Sequence, residues 1–253
     1  MHEKEMKTAE KAIKRAGYFL LKEFKKKDFS TETKGVKDIV TSADKGAEKI
    51  IIETIKKDFP GHAILAEEGG LSGKSDYKWI IDPLDGTHNF FFGIPYWGTM
   101  LALEHRGQLV LSVIGLPIFK ELCTAQKGKG SYVNGKRMQV SARTDKFMVT
   151  FGGVYSYKDH VVGKSFEKVV NAFYNDLRMF GSIAVTGRFL AAGQIDGIFG
   201  LKTTPWDMAA PSLIIEEAGG KVTDIKGRKC NHYAERFVAS NSMIHKKMID
   251  VLK

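Results

Sequence analysis

Residues 79–90 read Trp79-Ile80-Ile81-Asp82-Pro83-Leu84-Asp85-Gly86-Thr87-His88-Asn89-Phe90, and their character changes from apolar to acidic within one residue. The three apolar residues predict a short buried strand. We expect this strand to end at Asp82, because Pro83 cannot donate a hydrogen bond to a neighbouring strand. Asp85 follows three positions later, close enough across a tight turn for both carboxylates to face one point. Gly86 allows an unusual backbone angle in that turn, and Thr87 adds a hydroxyl group.

These paired carboxylates predict a metal site. Two carboxylates held close together repel each other unless a cation or a proton lies between them. A site built from oxygen ligands favours a hard ion, Mg²⁺ or Mn²⁺, over zinc. The pattern Asp-x-x-Asp-Gly is also typical of an ordinary turn after a strand, so its interpretation depends on the rest of the chain.

Length and composition predict a soluble globular protein. The chain has 253 residues, of which 43% are hydrophobic and 27% charged, enough for one large core or two packed subdomains. No apolar run approaches the roughly 20 residues of a membrane span, and the charged N-terminus has no secretory signal pattern. Cys123 and Cys230 lack metal-ligand spacing. We therefore expect a reduced, cytoplasmic protein that does not bind membranes.

The formal net charge of +10 allows three interpretations. It could reflect solvated helix surfaces, a field that attracts anionic substrates, or nucleic-acid binding. The lysines are dispersed, with a local excess only at 22–27, and no nucleic-acid-binding motif accompanies them. Direct nucleic-acid binding is therefore disfavoured.

Helical and strand patterns follow one another along the chain. Apolar spacing predicts an amphipathic helix over residues 3–26. It also predicts a second helix, which has Asp44 at its start and ends before Pro60. Residues 28–41 read as a loop or hairpin. Mostly antiparallel strands follow up to Val140, and from about residue 145 strands and helices alternate. The pattern predicts an N-terminal α+β subdomain (1–144) and a C-terminal α/β subdomain (145–253), packed as one catalytic unit.

Two further acids lie at the ends of predicted elements. Glu67 directly follows the predicted strand His62–Ala66, where it is either a turn residue or a ligand. Asp207 precedes a predicted helix over 208–218 and reads as its N-cap. Asp44 likewise suits a helix N-terminus, where the helix dipole favours a carboxylate. Capping alone would account for both aspartates in isolation.

Taken together, these acids and their flanking motifs resemble the inositol monophosphatase family of Mg²⁺-dependent, lithium-sensitive phosphatases. The resemblance covers most of the chain in the family's order. Its matching segments are Asp38-Ile39-Val40-Thr41-Ser42-Ala43-Asp44, Ala66-Glu67-Glu68, residues 79–90, Lys127-Gly128-Lys129-Gly130, Asn134-Gly135, Gly181-Ser182, Pro205-Trp206-Asp207 and Glu217-Ala218-Gly219-Gly220. The resemblance implies a layered αβαβα sandwich.

The resemblance also implies roles for individual residues. Two or three Mg²⁺ ions, replaceable by Mn²⁺, would be bound by Glu67, Asp82, the Leu84 carbonyl, Asp85 and Asp207. Asp44, Glu67 and Thr87 would activate the attacking water. The substrate would contact Asp85, Gly86, Thr87, Gly181, Ser182, Ile183 and Asp207. Family members are commonly homodimers, and lithium would inhibit if the second metal site resembles theirs.

The expected activity is hydrolysis of a small polyol or sugar phosphate, with inositol 1-monophosphate as the leading candidate. Gly200 stands where inositol-specific members carry a glutamate that binds a ring hydroxyl, so the true substrate stays open. Alternatives are fructose 1,6-bisphosphate, a 3′-phosphonucleotide and histidinol phosphate. A non-catalytic alternative is a regulatory protein on the same fold that binds RNA or another protein.

Overall fold

A computed structural model describes residues 2–26, 31–34, 38–152 and 160–253. Within these ranges the helices are α1 (Glu3–Lys26), α2 (Ser42–Asp58), α3 (Thr87–Phe91), α4 (His160–Phe173), α5 (Ile183–Ala191), α6 (Pro205–Glu217) and α7 (His245–Leu252). The strands are β1 (Thr31–Lys34), β2 (Asp38–Thr41), β3 (Ala63–Ala66), β4 (Gly70–Ser72), β5 (Tyr77–Asp85), β6 (Gly98–His105), β7 (Gln108–Leu116), β8 (Glu121–Gln126), β9 (Gly130–Val133), β10 (Lys136–Arg137), β11 (Val149–Gly152), β12 (Leu177–Arg178), β13 (Gly197–Gly200), β14 (Lys221–Asp224) and β15 (Phe237–Ser240).

The larger sheet has the order β10-β9-β8-β7-β6-β5-β3-β4. All of its pairs are antiparallel except β3 with β5, in agreement with the mostly antiparallel sheet predicted for the N-terminal half. Helices α1 and α2 cover one face, where Ile13 and Ile51 are buried in the same hydrophobic cluster as Trp79 of β5. The apolar spacing predicted for the first helix is confirmed, since its buried residues recur every three or four positions.

The smaller sheet has the order β12-β11-β13-β15-β14 and mixes parallel with antiparallel pairs. Helices α5 and α6 lie between the two sheets, where Ala184 and Leu213 pack with Ile114 of β7 and Ile198 of β13. Helices α4 and α7 cover the outer face of the smaller sheet. The layers therefore run helix, sheet, helix, sheet, helix, which confirms the predicted αβαβα sandwich.

Other sequence expectations have mixed outcomes. The loop or hairpin predicted over 28–41 contains the antiparallel pair β1–β2, while residues 27–30 and 35–37 lie outside the described residues. The edge strand β4 has no counterpart in the prediction; it is only three residues long. Among the described residues, no helix has the length and apolar character needed to cross a membrane.

Candidate metal centre

Strand β5 delivers Asp82 and Asp85 to the centre of the molecule. The expectation that the strand ends at Asp82 is wrong, because β5 continues to Asp85. The pairing with β6 is irregular there: Asp82 pairs with Met100, Asp85 pairs with Gly98, and the register shifts between them. This bulge lets Pro83 stay in the strand without a ladder hydrogen bond. Inside it, the Leu84 amide donates to Asp82 Oδ1 at 3.1 Å.

Gly86 turns the chain from β5 into α3. Its φ of 83° and ψ of 36° lie in the left-handed region, as the sequence predicts. A Cβ at this position would lie 2.8 Å from the Tyr96 carbonyl oxygen, so a side chain is excluded by space as well as by conformation. The turn places Thr87 at the first position of α3, directly beyond the two aspartates.

Asp207 reaches the same point from the other half of the chain. It was expected to be an N-cap, but Thr204 holds that position and Asp207 is the third residue of α6. The two form a reciprocal capping box in which the Thr204 amide donates to Asp207 Oδ2 at 2.8 Å. The physical reason is Pro205, which suits the first position of a helix and moves the cap one residue before it.

Three buried carboxylates meet here. Ligand oxygens of Asp82, Asp85 and Asp207 all lie within 4.8 Å of one another, which is close enough for one metal ion. Each of these residues is at most 7% exposed. The structure thus brings together residues that are 125 positions apart in the sequence (207 − 82).

The electrostatics of this cluster favour a cation. Burial raises the pKa of Asp82 well above its ordinary value, and the negative charges of Glu67, Asp85 and Asp207 raise it further. A divalent ion among the carboxylates would remove this penalty. Because all the donors are oxygens, the residues present fit Mg²⁺ or Mn²⁺.

Glu67 follows β3, and its amide donates to the Ile81 carbonyl of β5 at 3.2 Å. After burial, its charge is the largest cause of the raised pKa of Asp82. Glu67 therefore lies near enough to Asp82 to act on its charge, although it is not one of the three carboxylates that come within 4.8 Å of one another. Leu84, whose carbonyl was predicted as a ligand, is buried in the same segment.

The N-terminus of α5 holds the Asp85 carboxylate through three hydrogen bonds. The Ser182 hydroxyl donates to Asp85 Oδ2, and the amides of Ile183 and Ala184 donate to its carboxylate at 3.1 and 2.9 Å. These hydrogen bonds oppose the effect of burial, which raises the pKa of Asp85. Ser182 also caps α5 by accepting from the Val185 amide at 3.2 Å.

Two of the residues that were predicted to contact the substrate at the start of α5 also hold Asp85 in place. Ser182 and Ile183 are buried and bind Asp85, while Gly181 is exposed beside Asn89. The sequence analysis missed this anchoring role. Its signal was a serine directly before an apolar helical run, which is the pattern of an N-cap.

Thr87 and Asp44 form a hydrogen-bonded pair next to the carboxylates. The Thr87 hydroxyl lies 3.1 Å from Asp44 Oδ1 and 2.9 Å from the Leu84 carbonyl oxygen. Asp44 is itself held by Thr41, whose amide and hydroxyl donate to Oδ2 at 2.8 and 2.6 Å. Burial raises the pKa of Asp44, and the hydrogen bonds from Thr41 and Thr87 oppose that rise. The expectation that Asp44 caps α2 is wrong, because Thr41 is the N-cap and Asp44, the third residue of the helix, completes its capping box. Asp44 also orients Thr87.

Comparison with known proteins gives matches over almost the whole chain. The model of the inositol monophosphatase family matches residues 1–253. A relative from Thermotoga maritima, named fructose-1,6-bisphosphatase/inositol-1-monophosphatase, is 36% identical over 242 residues, covering 96% of this chain and 93% of the relative. A relative from Vibrio cholerae, named Nus factor SuhB, is 39% identical over 237 residues, covering 91% and 89%. The crystal structure of the extragenic suppressor protein suhB from Bartonella henselae superposes with a TM-score of 0.93 at 34% identity, covering 99% of both chains.

Proposed function

This chain belongs to the inositol monophosphatase family, and from that premise we propose that it is a divalent-metal-dependent phosphomonoesterase. The observation that carries the proposal is the convergence of three buried carboxylates, two from β5 and one from α6. Burying several carboxylates without counter-ions costs several kcal/mol by order of magnitude. Such a cluster is tolerable when cations are its partners.

The proposed metal ligands are the side chains of Glu67, Asp82, Asp85 and Asp207, together with the Leu84 carbonyl. When bound, two or three Mg²⁺ or Mn²⁺ ions would neutralise phosphate charge, acidify water and stabilise the leaving alkoxide. The chain contains one Cys-x₅-Arg spacing, at Cys230 and Arg236, but burial raises the pKa of the Cys230 thiol to about 11. A thiol of that kind is a poor nucleophile, which supports hydrolysis by water over a cysteinyl-phosphate route.

The Thr87–Asp44 pair supplies the remaining chemistry. Thr87 has one hydroxyl proton, and its two acceptors are Asp44 Oδ1 at 3.1 Å and the Leu84 carbonyl at 2.9 Å. With either acceptor, the lone pairs of the Thr87 oxygen can accept from water. Water oriented by Thr87 would attack phosphorus, with Asp44 and Glu67 as proton acceptors. The amides of Gly86 and Thr87, at the start of α3, would bind phosphate oxygens.

The proposed substrate is a small phosphorylated polyol or sugar that contacts Gly181, Ser182, Ile183 and the metal ligands Asp85 and Asp207. Inositol 1-monophosphate is the leading candidate, and fructose 1,6-bisphosphate is the main alternative because one relative's name gives both activities. A 3′-phosphonucleotide and histidinol phosphate are further candidates. Gly200 cannot supply the hydroxyl-binding carboxylate of inositol-specific members, so discrimination between these substrates rests on other residues.

The deciding experiment is phosphate release over these four substrates, with Mg²⁺ and in EDTA. We expect hydrolysis that requires Mg²⁺ and that Asp82→Asn abolishes. An active wild-type protein in EDTA would contradict the metal assignment, and no release from any phosphate ester in Mg²⁺ would contradict the enzymatic proposal. The same assay with added lithium tests the lithium sensitivity that the family resemblance implies.

A non-catalytic role is the second candidate, because several relatives carry the name Nus factor SuhB. Under this reading the fold would serve as a binding surface for RNA or another protein, and the net charge of +10 would contribute. Binding that survives Asp85→Asn, combined with no phosphatase activity, would favour it. Homodimerisation, a cytoplasmic location and the division at residues 144 and 145 also stand as proposals, testable by light scattering, fractionation and limited proteolysis.

A further inference from the structure

Helix α2 buries a second carboxylate one turn beyond Asp44. Glu48 is 6% exposed and Asp44 is 2% exposed, and their spacing of four residues places them on the same face of the helix. Asp44 belongs to the proposed water-activating pair. Glu48 has no part in the proposed reaction. Burial of a carboxylate costs free energy unless hydrogen bonds or ion pairs offset its loss of water.

Glu48 holds the chain immediately after Glu67. Its Oε2 atom accepts a hydrogen bond from the Glu68 amide at 2.9 Å. The Glu67 amide donates to the Ile81 carbonyl at 3.2 Å. The peptide groups on both sides of Glu67 are therefore held, one by β5 and the other by α2. Those two peptides determine the direction of the Cα–Cβ bond of Glu67, and so they limit the positions that its carboxylate can reach.

The space around the Glu48 carboxylate is matched to this contact. A Cβ at Gly69 would lie 2.9 Å from Glu48 Oε1. A residue larger than glycine would therefore force the Glu48 carboxylate to shift, which would strain its hydrogen bond to the Glu68 amide. Glu48, Glu68 and Gly69 form one unit, in which the absence of a side chain at position 69 makes room for the hydrogen bond.

We propose that Glu48 is a positioning residue for the metal centre, which directs the Glu67 carboxylate toward Asp82 by binding the peptide that joins Glu67 to Glu68. A carboxylate suits this task because a charge-assisted hydrogen bond to an amide is shorter and stronger than a neutral one. Groups that orient metal ligands in this way affect metal affinity by about 10–100-fold when removed. The inference rests on the proposed function only in taking Glu67 as a metal ligand.

The test is Mn²⁺ binding to the full chain, measured by electron paramagnetic resonance without any substrate. We expect Glu48→Ala to weaken binding about tenfold or more. Glu48→Gln retains an acceptor oxygen of the same reach, and we expect it to restore most of the affinity. The melting temperature in EDTA reports on folding separately from metal binding. Glu53→Ala is the matched control, because Glu53 lies on the same helix with its side chain 58% exposed, and it should bind Mn²⁺ like the wild type.

A second variant reaches the same contact without altering Glu48. Gly69→Ala should shift the carboxylate and weaken Mn²⁺ binding, by less than Glu48→Ala does. Adding Gly69→Ala to Glu48→Ala should cause little further loss. Gly61→Ala is its control, because nothing lies within 4 Å of a Cβ there.

Wild-type affinity in both Glu48→Ala and Gly69→Ala would overturn the proposal, as would a loss in Glu48→Gln equal to that in Glu48→Ala. If Glu48→Ala does not fold, Gly69→Ala decides the question. Absence of phosphatase activity in a wild-type protein that binds Mn²⁺ would contradict the proposed function and leave this inference standing.

Discussion

The hydroxyl of Thr87 lies 3.1 Å from the carboxylate of Asp44, although 43 positions separate the two residues in the chain. Thr87 begins α3, directly after strand β5 of the larger sheet. Asp44 lies in the first turn of α2, which packs on that sheet. The contact therefore depends on the packing of the helix layer against the strand that carries the aspartates.

The first prediction concerns this contact. Thr87→Ala should lower kcat about 100-fold or more and change KM little, because it removes a group that orients water and does not hold substrate by itself. Thr87→Ser keeps the hydroxyl and should retain most of the activity. The measurement is steady-state kinetics at saturating Mg²⁺. A change confined to KM would rule out the water-positioning role.

Neutralising one carboxylate of the cluster should separate stability from activity. Asp82→Asn should raise the free energy of unfolding in EDTA by about 1 kcal/mol or more, because the pKa of Asp82 is raised by burial and by the neighbouring charges of Glu67, Asp85 and Asp207. The same variant should lose the increase in melting temperature that Mg²⁺ gives the wild type. Differential scanning calorimetry with Mg²⁺ and with EDTA checks both. Equal stabilisation of the variant and the wild type by Mg²⁺ would remove Asp82 from the ligand set.

Asp196, together with Arg143, whose side chain is 41% exposed, ties the segment before β11 to the smaller sheet. Asp196 is fully buried and accepts from Arg143 Nε at 3.0 and 3.1 Å, from the Met148 amide at 2.9 Å and from Asn241 at 3.2 Å. Asp196→Ala should cost about 2–4 kcal/mol, because the Met148 amide and the Asn241 side chain lose their acceptor at about 1–3 kcal/mol for each buried donor. Arg143 adds little, because its partly exposed side chain can be solvated. The exposed pair of Asp76 and Arg106, at 2.9 Å, is the control.

Asp76→Ala should cost less than about 1 kcal/mol, since water screens both of its charged groups. Urea denaturation of the two variants gives the comparison. Similar losses in both would show that the burial of Asp196 is not what makes its contacts important.

Gly200 is required by the packing of its neighbour. A Cβ there would lie 2.0 Å from Phe237 Cε1, so the buried ring would have to move. Gly200→Ala should destabilise the protein by about 1–3 kcal/mol. The two substitutions Gly200→Ala and Phe237→Leu should couple favourably in a double-mutant cycle, because the smaller side chain frees the space. Gly163 is the control, because it is an exposed residue of α4 and nothing lies within 4 Å of a Cβ there. Gly163→Ala should be neutral or slightly stabilising. Additive effects at 200 and 237 would contradict this steric explanation.

His245 should make stability depend on pH. Its ring lies 2.9 Å from the Thr223 hydroxyl and 2.8 Å from the Ser240 hydroxyl, which pair with one donor and one acceptor of neutral imidazole. Burial lowers the pKa of His245 from 6.5 to about 4. Between these two pH values His245 binds a proton in the unfolded chain but not in the folded chain. The free energy of unfolding therefore falls as the pH drops from 6.5 to 4.

His245→Gln should lose the part of the pH dependence of stability that comes from His245. Above pH 7 the variant should differ from the wild type only through its altered hydrogen bonds and packing. Urea denaturation at several pH values gives the difference between wild type and variant. A difference that does not vary between pH 7 and pH 4 would show that His245 titrates alike in both states.

Local patterns explain the parts that sequence analysis predicted well. Helix α1 was predicted with its observed bounds because its apolar residues repeat every three or four positions, which is a property of the segment itself. Asp82 and Asp85 could be identified as a pair because three residues cannot separate them far. The two errors have different causes. Pro83 stays within β5 because a bulge in the pairing with β6 relieves it of hydrogen bonding, which is a tertiary effect. Thr204 caps α6 because Pro205 takes the first helical position, which is a local rule that the prediction overlooked.

By itself, the sequence determined the identity of the elements and the acids at their ends, because helix periodicity, turn chemistry and carboxylate spacing act over a few residues. Only the tertiary structure decided that Asp207 meets Asp82 and Asp85, that α5 holds Asp85 through Ser182, and that Glu48 binds the peptide after Glu67. These contacts join residues from 20 to 125 positions apart. Such distances are closed by the burial of apolar faces between layers, and no short stretch of chain contains that information.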